Sequence, residues 1–317
     1  MNSKGDIRVS LIIPFIDNHE EVLQLKTNLD QQNYPKELTE IIFVDNGSKR
    51  NFTFPDQFVN DLVFLREDEN LNSPYSARNR GIEIAKGDVL VFIDANSRPA
   101  KDWLVNGLRC MVRSNCEIAA GDVQFDLKDS PSVANIVDAL TSINMRKAVQ
   151  ERGVAYTANL FIRKEVLEKV GLFEERSRSG GDVRWSMRAA EKGYRISFCK
   201  DALVYKFPRS FKALFNKKIR TGRGYFYTWR SEHEKPIWFY NLLRSLKPPV
   251  FSRWNNDPAR LQLIQSGNRV LIWFMLYIAG IVEQLAFSME YLRYNLGKQR
   301  DIDRREELVG ENIQNDA

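Results

Sequence analysis

The chain is poor in histidine and cysteine. Among 317 residues there are two histidines, His19 and His233, far apart in sequence. A histidine-rich zinc centre and a histidine-driven hydrolase both fit badly with so small a supply. The three cysteines, Cys110, Cys116 and Cys199, are odd in number and irregularly spaced. Such a set is not a disulfide framework, and it fits a reducing compartment. The N-terminal residues MNSKGDIRVS hold no apolar run of the signal-peptide kind. Chemistry is left to carboxylates, amides, arginines and an oxygen-bound metal.

What is present is globular in character, with 43% hydrophobic and 28% charged residues. That length and composition support one large domain or two smaller ones. The formal net charge of +6 is unevenly spread. Residues 206–230 carry eight basic and no acidic residues, whereas residues 1–205 are slightly acidic. The basic excess therefore belongs to one stretch, and it suggests a phosphate-rich or anionic partner there.

Arg8–Phe15 (RVSLIIPF), Glu40–Val44 (EIIFV), Leu62–Leu65 and Asp88–Ile93 (DVLVFI) are short apolar runs that predict buried strands. Between them, Asn18–Gln32 places Val22, Leu25 and Leu29 at helical spacing. Ser73–Lys86 predicts a helix with a proline in its first turn and Gly87 just past its end. Asp102–Val112 predicts another helix and Glu117–Phe125 another strand. Further on, Val154–Ile162 reads as a strand, Lys164–Val170 as a short helix and Ser177–Gly181 as a loop. A helix follows from Asp182 to about Lys192, then strands at Arg195–Phe198 and Ala202–Phe207. From Ser210 the pattern is helical and rich in aromatics, and the polar last 18 residues are expected to fray.

This alternation predicts an α/β fold with a mostly parallel sheet covered on both faces. Ligands of such sheets bind beyond the carboxyl ends of the strands, which singles out Pro14, Asp45 and Asp94. Aspartate also favours turns in its own right, so position alone does not separate a turn from a site.

Five segments bear on this: SLIIPFIDN, EIIFVDNGS, SPYSARNRGIEIAKGDVLVFIDANSRPAKDWL, GVAYTANLFIRKEVLEKVGLFEE and SGGDVRWSMRAAEKGYRI, in that order. Together they resemble family 2 glycosyltransferases with the Rossmann-like, nucleotide-sugar-binding GT-A fold, over roughly residues 8–208. The resemblance implies transfer of a sugar from a nucleoside diphosphate donor, UDP-sugar favoured. It implies inversion at the anomeric carbon and a lipid-linked or polysaccharide acceptor.

Residue by residue, the resemblance places Asp45 of VDNGS on the nucleobase and Arg78 of SARNRGI beside the nucleotide. Arg78 could pair with phosphate or lock Asp94. A charge on a helix surface is the plain alternative. Asp94-Ala95-Asn96 stands where the family carries Asp-x-Asp, which implies Mn2+ or Mg2+ on the diphosphate. Here the second position is Asn96, whose amide brings no charge, so metal affinity should fall. Lys206 stands where the family often has a histidine. Lysine could neutralise diphosphate directly, and with Asn96 it is consistent with weaker metal use. Thr157, Ala158 and Asn159 resemble the segment lining the sugar. Asn159 is expected at the sugar or acceptor, with a buried structural role equally open, and Arg209 is expected there too. Asp182, after Ser179-Gly180-Gly181, stands where the family places its general base. A helix cap is the competing role, and amides bonded to the carboxylate would make it a poorer base.

Residues 206–230 interleave basic residues with Phe207, Phe211, Phe215, Tyr225, Phe226, Tyr227 and Trp229. That suits a membrane surface or lipid phosphate, or a helix packing its aromatics inward. Val270–Phe287 is the most apolar stretch but contains Glu283 and Gln284. It predicts a buried or interfacial helix, peripheral to a membrane rather than spanning it, or a homodimer contact. The expected organisation is a GT-A domain over 1–208, a basic, aromatic helical region over 209–299 and a polar tail over 300–317. The expected setting is cytoplasmic, at the inner face of the cell membrane, in polysaccharide or cell-envelope synthesis. An inactive nucleotide-sugar-binding homologue is the alternative. A nucleic-acid-binding protein is a weaker one, because it leaves Asp45, Asp94 and Asp182 unexplained.

Overall fold

The computed structural model describes residues 7–55, 62–71, 73–127, 130–175, 179–232, 247–254 and 257–315. His233 and the start of the predicted loop at 177–181 lie outside them. The chain divides into two units, Met1–Arg209 and Ser210–Ala317.

The first unit holds β1 (Val9–Phe15), β2 (Thr39–Asp45), β3 (Val63–Arg66), β4 (Val89–Ile93), β5 (Ser97–Pro99), β6 (Ile118–Phe125), β7 (Asn159–Arg163) and β8 (Ile196–Lys206). They form one sheet in the order β3-β2-β1-β4-β7-β6-β8-β5. The pairs among β3, β2, β1 and β4 are parallel, as is β6 with β8. β7 runs antiparallel to both β4 and β6, and β5 antiparallel to β8.

Its helices are α1 (His19–Asp30), α2 (Pro74–Ile84), α3 (Trp103–Arg113), α4 (Val133–Thr141), α5 (Met145–Arg152), α6 (Lys164–Val170) and α7 (Gly181–Glu191). Alternate residues of a strand face opposite sides, and β1 feeds two cores in this way. Leu11, Ile13 and Phe15 pack with Leu25 of α1 and Trp103 of α3. Ile12 packs with Ala77 and Ile82 of α2 and Trp185 of α7. Burial on both faces is why these strands read as continuous apolar runs.

The structure corrects several sequence expectations. The two strands expected at 195–198 and 202–207 are one strand, β8, whose pairing with β6 shifts register between Gly121 and Asp122. The strand expected from Val154 starts only at Asn159. α4, α5 and β5 carry no clear periodicity and were not expected. The cysteines are corrected as well: Cys110 on α3 and Cys199 on β8 form a disulfide, with Cα atoms 5.9 Å apart, while Cys116 is free and buried. α3 packs on β8 and brings together two residues 89 positions apart. The cysteine count therefore carries no argument for a reducing compartment.

The second unit holds α8 (Phe211–Glu232), α9 (Pro258–Ser266) and α10 (Arg269–Asn315). The tail expected to fray continues α10 as far as Asn315. α8 packs on α10 closely enough that a Cβ at Gly222 would lie 2.1 Å from the Glu283 carbonyl oxygen, so only glycine fits. Glu283, the charge within the apolar stretch, is partnered. It accepts hydrogen bonds from Lys218 Nζ at 3.0 Å and Thr221 Oγ1 at 2.7 Å. Phe226 packs against Phe287 and Tyr291. Arg269–Gly297 is long and apolar enough to cross a membrane, by length and composition. On this helix Leu271, Phe274, Leu285, Met289, Leu292 and Leu296 are exposed.

Candidate active site

The site gathers where the parallel strands end. Asp45 is the last residue of β2, and Asp94 follows β4. β1 lies between these strands, so the two ends stand about 10 Å apart across the sheet. Pro14 is buried within β1 between them. Asp45 is 1% exposed. Its Oδ1 accepts the Ser48 N–H at 2.8 Å, closing the Asp-Asn-Gly-Ser turn, and its Oδ2 lies 3.4 Å from Arg66 Nη1.

Asp94 is the centre of a charged cluster. Its Oδ1 accepts from Arg78 Nη2 at 2.9 Å, and its Oδ2 is bound by Lys206 Nζ. Lys206 Nζ also lies 3.5 Å from Asn96 Oδ1. Local structure explains each position. Ser73 caps α2 through its side chain, and Pro74 occupies the first turn, where its missing N–H does no harm. Arg78 then stands one turn in, with its guanidinium 5.5 Å from the Tyr75 ring. Lys206 reaches the cluster because β5, immediately after Asn96, pairs with β8 and sets Ser97 opposite Lys206.

Burial by itself would raise the Asp94 carboxyl. Lys206, and after it Arg78, outweigh that and hold it well below the usual carboxylate range. Burial lowers the Lys206 ammonium, and the Asp94 charge offsets this only in part. Arg209 adds positive charge to the same cluster. It is held by Asp138 of α4, fully buried, which accepts the Arg209 backbone N–H at 2.9 Å and faces its guanidinium at 3.3 Å.

Asp182 lies at the head of α7 and is 9% exposed. It is not the cap: the N-cap position belongs to Gly180. Its Oδ1 accepts from Tyr75 Oη and from Val183 N, both at 3.0 Å. Its Oδ2 accepts from Thr157 N at 3.2 Å and Thr157 Oγ1 at 3.4 Å. A Cβ at Gly181 would meet the Tyr75 ring at 2.8 Å, so glycine lets the phenol reach this carboxylate. Burial first, and the Asp182 charge second, push the Tyr75 phenol far above its ordinary range. Tyr75 thus joins Asp182 to Arg78, and through it to Asp94.

Of the two roles left open for Asn159, the structure displays the buried structural one. Asn159 is fully buried, and every polar atom of its side chain is spent. Oδ1 accepts from Trp103 Nε1, and Nδ2 donates to the carbonyls of Asp122 and Ala202, all at 2.8 Å. It ties α3, β6 and β8 together and offers nothing to a sugar. Tyr75 and Asp138 are the residues that sequence reasoning missed. Tyr75 lies inside the quoted motif, where only its contact with Asp182, 107 positions away, marks it, and Asp138 lies on an unpredicted helix.

The oxygens expected to hold Mn2+ or Mg2+ do not suit a divalent cation. Both Asp94 oxygens already face cations, Asn96 is uncharged, and a buried ammonium occupies the space between them. These ions prefer a shell of oxygen ligands with carboxylate charge. Among the described residues, no group of three or more His, Cys, Asp or Glu could hold a metal ion.

The mixed α/β sheet with Asp-bearing strand ends, followed by C-terminal helices, is of the GT-A type of fold. The family model for Glycosyl transferase family 2 matches residues 10–171, just over half of the chain. The chain belongs to this family and is a glycosyltransferase. It is 35% identical over 228 residues to glycosyltransferase AglE of Haloferax volcanii, a match covering 70% of this chain and 74% of that one. The fold is similar to that of the mannosyltransferase PcManGT from Pyrobaculum calidifontis, solved with GDP-Man and Mn2+. That likeness has a TM-score of 0.57 at 16% identity, over 90% of this chain and 88% of that one. It is also similar to TarS of S. aureus in complex with UDP, with a TM-score of 0.51 at 15% identity over 92% of each chain.

Proposed function

We propose that this chain transfers a sugar from a nucleoside diphosphate sugar, with a UDP-sugar favoured, to a hydroxyl of a lipid-linked or polysaccharide acceptor. The observation that carries the reading is the placement of Asp182, a buried carboxylate held by Tyr75 beside the Arg78–Asp94–Lys206 cluster. Asp182 serves as general base, and Pro14 and Asp45 line the nucleoside end. The acceptor oxygen attacks the anomeric carbon from the face opposite the leaving group, which inverts the configuration. Its proton passes to Asp182. The bond from the anomeric carbon to the phosphate oxygen breaks, and its electron pair leaves on the nucleoside diphosphate. Thr157 Oγ1 is the loosest contact of Asp182, and it is the one that an acceptor hydroxyl displaces. Arg209 faces the acceptor side of the cluster.

In this reading residues 1–208 are the catalytic domain and residues 209–317 attach it to its acceptor. The proposed setting is the inner, cytoplasmic face of a cell membrane. Lys212, Arg220 and Arg223 of α8 are exposed, and that leaflet is anionic. The exposed apolar residues of α10 support attachment to the same surface. The full chain is expected to float with anionic vesicles. Leu285→Glu together with Leu292→Glu should leave it at the bottom of the gradient, and flotation of that variant overturns the attachment.

The catalytic reading is tested with Asp182→Asn. A thermal-shift screen of UDP-, GDP- and CMP-sugars first identifies the donor. Release of nucleotide from that donor should then fall about 100-fold or more in the variant, with nucleotide binding kept. Equal, slow release by wild type and variant would instead favour the inactive homologue.

A further inference from the structure

We infer that the Lys206 ammonium takes the place of the divalent cation at the diphosphate, so that this glycosyltransferase works without a metal. The inference rests on the reading above and deepens it. Three observations carry it. The first is geometric: Lys206 Nζ sits between Asp94 Oδ2 and Asn96 Oδ1, where a cation bound by that turn would sit. The second is the donor set. Asp94 has no oxygen left that faces away from a cation, because Arg78 Nη2 holds the other one. A divalent ion brought there would meet a buried ammonium and a guanidinium at close range, and like charges repel strongly where solvent screening is weak.

The third observation is the charge balance. Arg78, Lys206 and Arg209 face two carboxylates, Asp94 and Asp138, so the cluster keeps an excess of one positive charge. An ammonium has three N–H donors. Asp94 and Asn96 take two, and the third has no partner among the described residues. The Arg78 Nε is likewise buried without a hydrogen-bond partner among them. The Asp94 side chain is 31% exposed, so the cluster opens to solvent at that carboxylate. A diphosphate lying against it meets fixed cations and unspent donors.

The chemical consequence follows the charge. As the bond from the anomeric carbon to the phosphate oxygen breaks, its electron pair moves onto the diphosphate. Lys206 and Arg78 neutralise that charge in place, and the acceptor proton goes to Asp182. Asp94 is then a positioning residue: it fixes the ammonium and ligates nothing. Fixed donors of this kind need no reorganisation during the reaction.

The test is calorimetric titration of UDP and of GDP into the full-length protein, once in EDTA and once in Mn2+. For the nucleotide that binds, the dissociation constants should agree within about threefold between the two conditions. Lys206→Met should weaken binding in EDTA about tenfold or more, as the loss of a charged hydrogen bond implies. Asn96→Asp combined with Lys206→His supplies a carboxylate and a neutral imidazole. That double variant should bind nucleotide only with Mn2+ and should broaden the paramagnetic resonance signal of Mn2+, which the wild type leaves unchanged. Circular dichroism checks folding. If Lys206→Met does not fold, the wild-type titrations and the double variant still decide. Wild-type binding that appears only with Mn2+ overturns the inference and leaves the glycosyltransferase reading intact. Binding of neither nucleotide under either condition overturns the nucleoside diphosphate donor of that proposal, and the inference with it.

Discussion

Lys206 and Lys218 are buried lysines that each pair with a carboxylate, and they differ in what surrounds them. Lys206 in the first unit is 3% exposed and Lys218 in the second is 6% exposed. Lys218 meets Glu283, and Thr221 donates to the other oxygen of the same carboxylate, so one cation faces one anion and both carboxylate oxygens are satisfied. Lys206 meets Asp94, but Arg78 and Arg209 crowd the same place, and the positive charge is in excess. A balanced pair is a clamp between helices. An unbalanced one is a site waiting for an anion, because a chain gains nothing from burying surplus charge unless a ligand completes it.

The largest contrast comes from removing each lysine in turn. Lys206→Met leaves Asp94 with Arg78, so the fold should hold while turnover falls by about 100-fold to 1,000-fold. Lys218→Met leaves Glu283 charged and half abandoned between two helices. Breaking a buried pair from one side costs about 3 kcal/mol or more, readable as a lower urea midpoint, with nucleotide binding unchanged. Lys218→Met with Glu283→Leu removes both charges and should recover most of that loss. If the single Lys218 variant is as stable as wild type, or abolishes nucleotide binding, the contrast between clamp and site collapses.

The contrast also marks what was legible in the sequence. Asp45, Asp94 and Asp182 were legible because each follows a strong local signal, an apolar strand or a glycine pair at a helix start. The place of Lys206 was legible only as a departure from the family pattern. Its contact with Asp94 depends on β5, three residues ending in a proline, and so short a strand has no periodicity to read. Arg209 was expected, but not the buried Asp138 that holds it, because α4 was not seen. Asn159 stayed open between ligand and core for the opposite reason. A polar residue in a quoted motif suggests a ligand, whereas its carbonyl and indole partners come from three distant elements. The disulfide between Cys110 and Cys199 was hidden in the same way, since only the packing of α3 on β8 brings those residues together.

The smallest effect tests whether Tyr75 belongs with the site or with the core. Tyr75→Phe keeps the ring that packs against Phe173 and removes only the hydroxyl that donates to Asp182. Turnover should fall about tenfold, the scale of one hydrogen bond to a charged group, with the KM for the sugar donor unchanged. A purely structural tyrosine would alter stability and leave kcat alone. The pH dependence of stability gives a second reading. The phenol has an ordinary value of 10.0, and burial together with the Asp182 charge raises it in the folded state. Above an ordinary tyrosine pKa of about 10 the unfolded chain sheds this proton and the folded chain does not, so wild-type stability declines as pH rises past that point. Below it the contribution is fully present. Tyr75→Phe has no proton to shed, so its alkaline decline should be shallower than that of wild type. Parallel alkaline curves for the two proteins would place the phenol outside the buried, Asp182-linked setting.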